Sequence, residues 1–172
     1  MKFHDLIHQR ESIRNYDPDR PVENEKLNLI LEAGRIAPSA ANRQPWRFYL
    51  VSSPEYLSKI RTCYARSWFS DAPHVLIVAG KRHEAWTRQS DGYNALETDL
   101  TIAMDHMILA AEAEEIGTCW IAAFDPEKLQ LTGILGPDEE VFAMTPLGYS
   151  CDGFVKRAIK DRKPFEEVVK RL

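Results

Sequence analysis

Arg10, Ser12 and Arg14 stand at alternate positions in the run Arg10-Glu11-Ser12-Ile13-Arg14. In an extended segment, such positions share a face. Two guanidiniums and a hydroxyl would then converge on one spot. Arginine gives bidentate, charge-assisted hydrogen bonds, which suits a phosphate dianion. A solvated helix end with ordinary charges would show the same spacing. Lys160 and Arg162 alternate in Lys160-Asp161-Arg162-Lys163-Pro164. If extended, they could join Arg10 and Arg14 at one anion; read alone, they form a solvated basic tail.

A second segment, Pro38-Ser39-Ala40-Ala41-Asn42-Arg43-Gln44-Pro45-Trp46, has small residues between prolines. Small side chains let a ligand approach the backbone. Asn42 and Gln44 carry both amide donors and acceptors. Such a loop could bind the edge of a flat heterocycle. It could equally be a rigid connector ahead of a strand, with Trp46 in the core.

Helices and strands must position these segments. Residues 2–9 show an apolar helical face of Phe3, Leu6 and Ile7. Asp17-Pro18 signals a turn. Pro21 is expected to open a helix over about 22–36. Residues 46–52 read as a strand and 75–80 as a wholly apolar, buried one. Ser53-Pro54-Glu55 and Asp125-Pro126-Glu127 each combine an N-cap, an N1 proline and an acidic first turn. The strongest helical pattern covers 94–116, with Gly117 as its stop. Residues 118–124 read as a strand. Residues 141–150 read as another, with Pro146 placing it at an edge or near its end. Residues 81–93 form a polar excursion or lid, and basic and apolar residues alternate from Gly153 onward. The expected fold is α+β, helices packed on a mixed sheet in one domain over residues 1–172. A doubly wound parallel fold is the alternative, but it lacks an opening strand followed by GxGxxG.

Composition excludes several classes. With 172 residues, 44% hydrophobic and 28% charged, the chain is of globular type. A net charge of −4 disfavours a nucleic-acid-binding domain. No apolar run is long enough to span a membrane. The polar start MKFHDLIHQR does not read as a secretory leader, so the cytoplasm is the expected location. Three dispersed cysteines (63, 119, 151) and five scattered histidines give neither a disulfide framework nor a metal-ligand pattern. There is no G-x-S-x-G, Walker A or HExxH motif, and neither Ser12 nor Ser39 has a local histidine to activate it.

Taken in order, Arg10-x-Ser12-x-Arg14, PSAANRQPW at 38–46, GTCWIAAF at 117–124 and RKPFEEVV at 162–169 resemble the nitroreductase family, in its small single-domain members. The resemblance covers nearly the whole chain. It implies a domain-exchanged α+β homodimer with one FMN per active site at the subunit interface. It also implies NADH or NADPH as reductant, and a small-molecule acceptor such as a nitroaromatic or quinone. By position, Arg10, Ser12 and Arg14 match the family's first FMN motif, and Glu11 the variable residue within it. Pro38, Ser39, Ala40 and Asn42 match the loop that reaches the partner's flavin, with Gln44 as a further candidate. Ala122 and Ala123 match the segment beside the flavin ring, and Lys160 and Arg162 the tail that closes on the phosphate. The resemblance requires no catalytic side chain, no metal, no nucleic acid and no membrane.

The chain departs from the family in places. Ala122 stands where many members have Gly, and residues 64–69 offer no counterpart to a basic and amide pair. Trp68 and Phe69 are expected to narrow the pocket, and residues 81–93 to carry specificity. Two other functions fit the same residues: a flavin carrier or sensor without turnover, and a flavoenzyme of this fold with different chemistry, such as dehalogenation. A homodimer is also expected from the apolar helix 94–116, which carries more apolar and small surface than a monomer of this size needs to cover.

Overall fold

The computed structural model describes residues 2–157 and 160–172. The alternation expected along the tail crosses residues 158 and 159, which lie outside the described residues. Along the chain come α1 (Phe3–Gln9), α2 (Asn24–Arg35), β1 (Trp46–Val51), α3 (Pro54–Cys63), α4 (Ser67–Ser70), β2 (His74–Gly80), α5 (Leu96–Ala113), β3 (Gly117–Thr118), α6 (Pro126–Leu131), β4 (Glu140–Gly148) and α7 (Phe165–Val168). The strands form one sheet in the order β1-β2-β4-β3, all paired antiparallel. The mixed character expected of the sheet is confined to one parallel bridge, Ser12 to Thr118.

The wholly buried β2 divides the core by its two-residue period. Leu76 and Val78 pack with α2 and α5 on one face of the sheet. Val75 and Ile77 pack with α3, Phe69 of α4 and α6 on the other. At Gly34 α2 and α5 pack without room for a side chain: a Cβ there would lie 2.6 Å from the Met107 sulfur. Both predicted N-caps form. Ser53 Oγ accepts from the Tyr56 amide at 3.5 Å, and Asp125 Oδ1 accepts from the Lys128 amide at 3.1 Å.

Several expectations are corrected. α2 starts at Asn24, with Glu23 at the N-cap position but no side-chain cap bond, rather than next to Pro21, because Val22 is drawn into the core. α5 does not stop on Gly117. Its chain reversal falls on Glu115 at φ 63°, with Ile116 N–H bonded to Ala111 O and Glu115 N–H to Glu112 O. That is the double bond of a Schellman end. Gly117 serves a close approach instead, since a Cβ there would meet Ile13 Cβ and Gly148 O at 3.1 Å.

The strand expected over 118–124 is cut short. Its pairing with β4 holds at Gly117 and Thr118 and resumes at Ile121, which exchanges both backbone bonds with Met144. In that register Cys119 faces Pro146, which has no N–H to give. The Thr145 hydroxyl fills the gap: it accepts from Cys119 N–H and donates to Pro146 O, both at 3.0 Å. Pro146 therefore lies near the end of its strand, as one of the two expected placements has it, but β4 is central rather than an edge, and the ladder to β3 is broken at this point.

The apolar side chains of α5, Leu96 to Ala111, are taken up largely within the chain. The large exposed apolar side chains lie elsewhere. Phe3, Ile7, Leu29 and Ile36 are on or next to α1 and α2, and Val155, Phe165, Val168 and Leu172 are on the tail. No helix among the described residues is long and apolar enough to cross a membrane.

Candidate functional site: a basic cleft between the chain ends

Residues after α1 leave the helix extended. Ile13 N–H bonds to Thr118 O at 2.8 Å, and Ile13 and Tyr16 are buried, with the Tyr16 hydroxyl donating to Ile13 O. With Ile13 turned inward, Ser12 and Arg14 face the opposite way, as strand alternation requires. The strip is held between β3 and the segment after β4 by the Ser12–Thr118 and Tyr16–Ser150 bridges.

Its outward side forms one wall of a cleft of about 510 Å³, lined by Arg10, Glu11, Ser12, Arg14 and Asn15. The tail forms the other wall, with Phe154, Val155, Arg157, Lys160, Asp161 and Arg162. The two cationic segments singled out in the sequence thus meet. The structure adds Arg157, whose signal was the Lys156-Arg157 pair just ahead of Lys160. Five cations (10, 14, 157, 160, 162) face two carboxylates, Glu11 and Asp161. Among the described residues none of the five forms an ion pair.

Glu11 is already engaged, both of its oxygens accepting the Arg157 backbone N–H at 3.1–3.2 Å. Lys160 donates to the Arg10 carbonyl, and Lys156 pairs with the buried carboxylate of Glu112. Burial, and then the positive charges of Arg10 and Arg162, hold the Lys160 ammonium below its ordinary pKa. Positive side chains are therefore in excess in this hollow, five against two carboxylates. The donor set fits a phosphate: forked guanidiniums, an ammonium and a hydroxyl.

Two further residues shape this wall. The Arg14 guanidinium lies 5.9 Å from the centre of the Trp68 ring, within reach of a cation–π contact. Trp68 in turn stacks on Tyr16 at 6.4 Å. Phe69 is completely buried in the core. The expectation that Phe69 narrows a pocket is corrected accordingly, while Trp68 stands beside the Arg14 guanidinium. The Cys119 thiol is buried near Ser12 and Arg14. Burial raises its pKa, Arg14 and Ser12 draw it down in part, and the balance stays upward.

Pro38–Gln44 is not among the residues lining this cleft in the same chain, nor are Ala122 and Ala123. The loop contains a single 3-10 turn, Ala40–Asn42. Ala41, Asn42 and Gln44 have φ of 50°, 53° and 51°. The left-handed region costs a non-glycine residue about 1–2 kcal/mol, with Asn the best tolerated. Ser39 Oγ accepts from Gln44 N–H at 2.9 Å, and Asp99 Oδ1 accepts from Ala40 N–H at 2.9 Å. Asn42 and Gln44 are exposed, as are Ala122 and Ala123, which follow the buried Ile121. Residues 81–93 form a pinned excursion: Asn94 Nδ2 bonds to Arg82 O and Thr87 Oγ1, and Arg88 pairs with Asp91.

An α+β fold with helices on both faces of an antiparallel sheet, and a predominantly cationic cleft between its two chain ends, defines the class. The family model for the nitroreductase family matches residues 7–63 and 54–149. A solved nitroreductase family protein from Clostridium difficile 630 shares 32% identity at a TM-score of 0.90, covering 99% of this chain and 98% of its own. A nitroreductase with bound FMN from Bacteroides fragilis shares 25% identity at a TM-score of 0.76, covering 100% and 99%. An NADH dehydrogenase from Thermus thermophilus is 29% identical over 192 residues, covering 94% of this chain and 91% of its own. The chain belongs to the nitroreductase family.

Proposed function

We propose that the protein is an FMN-dependent NAD(P)H oxidoreductase, acting as a homodimer of one nitroreductase-like domain over residues 1–172 in the cytoplasm. One observation carries the reading: Arg10, Arg14, Lys160 and Arg162 come from opposite ends of the chain into a single cleft with no ion-pair partner among the described residues. The named flavin-bound relative supports it.

The four cations and the Ser12 hydroxyl would hold the FMN phosphate, with Arg157 as a fifth positive group. Glu11 fixes the tail through the Arg157 backbone and keeps the two walls in register. Pro38, Ser39, Ala40, Asn42 and Gln44 would present backbone and amide groups to the ring edge in the partner's site. Ala122 and Ala123 are small and exposed, so a flat ring could lie against their backbone. Bound FMN supplies the redox chemistry, between NADH or NADPH and an oxidised acceptor such as a nitroaromatic or quinone. No side chain here is asked to act as nucleophile or general acid.

The purified protein should be yellow, release FMN on denaturation, and oxidise NADH or NADPH in air. A colourless protein that takes up no FMN overturns the reading. An FMN-loaded protein that oxidises neither nucleotide is instead a flavin carrier or sensor.

A further inference from the structure

Asp99 lies in the first turns of α5 with only 1% of its surface exposed. One oxygen accepts the Ala40 N–H at 2.9 Å, and the other, equally buried, has no partner among the described residues. Buried carboxylates are normally satisfied on both oxygens, because desolvation is costly. This one is placed instead for a single backbone contact, 59 residues away along the chain.

That contact is unusual for the loop as well. The other hydrogen bonds of residues 38–44 among the described residues run within the loop: Asn42 N–H to Ser39 O, Arg43 N–H to Ala40 O, Gln44 N–H to Ser39 Oγ and Gln44 Nε2 to Asn42 O. Asp99 alone ties the middle of the loop to a helix. Left-handed residues persist only where the surroundings over-determine them. Here that demand falls on Asp99, seated on a helix packed throughout the core.

We propose that Asp99 is a positioning residue that holds loop 38–44 in its left-handed form, so that Asn42 and Gln44 meet the flavin ring. This rests on the reading that the loop contacts that ring. Asp99 itself touches no flavin; it acts through Ala40.

The test compares riboflavin and FMN dissociation constants, by flavin fluorescence, for native protein, Asp99→Leu, Asp99→Asn and Ala40→Pro. Leucine removes the acceptor and the unpartnered oxygen together. Asparagine keeps an acceptor. Proline removes the Ala40 N–H at the first position of the turn, where Ser39 is already extended. The expected result is that Asp99→Leu and Ala40→Pro weaken riboflavin and FMN by the same factor, about 5- to 20-fold, and Asp99→Asn by less than about 3-fold. The thermal midpoint of Asp99→Leu should stay at or above native, because a buried unpaired carboxylate has gone. A purely structural Asp99 would show the reverse: a lowered midpoint with unchanged flavin affinity. Native riboflavin affinity in either Asp99→Leu or Ala40→Pro overturns the proposal. If the native protein binds neither flavin, the functional reading has failed instead. Amide exchange at Asn42 and Gln44 then decides the positioning role alone: at least 10-fold faster exchange in Asp99→Leu supports it, and unchanged exchange overturns it.

Discussion

The ammonium of Lys160 donates to the backbone carbonyl of Arg10, joining positions 150 residues apart in the chain. The partner is a neutral carbonyl, so the ammonium is fixed in place without losing its charge to a carboxylate. Arg162 is kept near it in the same way, donating to Asp161 O at 2.6 Å. Backbone acceptors thus assemble the cleft and leave its positive charge for a ligand.

Arg10→Ala and Arg162→Ala should each weaken FMN binding by about 10- to 100-fold, since a hydrogen bond to a charged group contributes roughly 1.5–3 kcal/mol. Riboflavin, which lacks the phosphate, should bind both variants as it binds native protein. Flavin fluorescence titrations at fixed salt measure this. If neither variant loses at least a few-fold in FMN affinity, the phosphate assignment is wrong.

Trp68→Leu should cost FMN affinity about 2- to 5-fold through the orientation of Arg14, given about 0.5–1 kcal/mol for an exposed cation–π pair. Trp68→Phe should fall between Leu and native. Riboflavin affinity again serves as the control, and equal loss for both flavins would mean that Trp68 acts on the ring side.

Thr145→Val keeps the shape of a fully buried side chain but removes the hydroxyl between Cys119 and Pro146. Leaving buried backbone groups unsatisfied costs about 1–3 kcal/mol. The urea midpoint should drop with an unchanged slope. A midpoint equal to native would show that the broken ladder closes by another route.

His74 is buried, with Nδ1 2.7 Å from Ser52 Oγ and Nε2 accepting the Val22 N–H at 3.3 Å. Burial lowers its pKa below 6.5, so the neutral ring is the folded form. The unfolded chain therefore takes up this proton first as pH falls. Stability from this group is full above about pH 6.5. It declines as pH drops from there through the lower folded value. His74→Gln should flatten that part of the stability–pH curve, measured by urea unfolding from pH 7.5 to 5. A curve as steep as native would assign the loss to other groups.

The homodimer should bury more than about 2,000 Å² and survive dilution to nanomolar protein. The exposed Phe3, Ile7, Leu29 and Ile36 are the apolar side chains expected to be covered there. Ile36→Glu should weaken association in sedimentation. A stable FMN-loaded monomer would remove both the dimer and the shared-site reading of residues 38–42.

Much of this was legible locally. Alternation placed Arg10, Ser12 and Arg14 on one side because Ile13 had to go inward, and Ser53 and Asp125 announced their helices because a cap needs only its own first turn. What depended on partners distant in sequence was not legible. Gly117 looked like a helix stop, yet its neighbour across space is Ile13; the actual reversal fell on Glu115, a residue with no turn signature. Pro146 read as marking either an edge or the end of its strand; it lies near the end of β4, and only the register against Cys119 shows that it also breaks a central ladder. Trp68 and Phe69 looked alike in the sequence, and only packing separated them, placing Trp68 beside Arg14 and Phe69 in the core. Asp99 carried no signal at all, because its meaning lies in the single amide 59 residues away that its buried oxygen holds. Side-chain periodicity is a local property and survives in the sequence. Register, close approach and the pairing of buried polar groups are set when distant segments compete for the same space, and only the folded chain decides them.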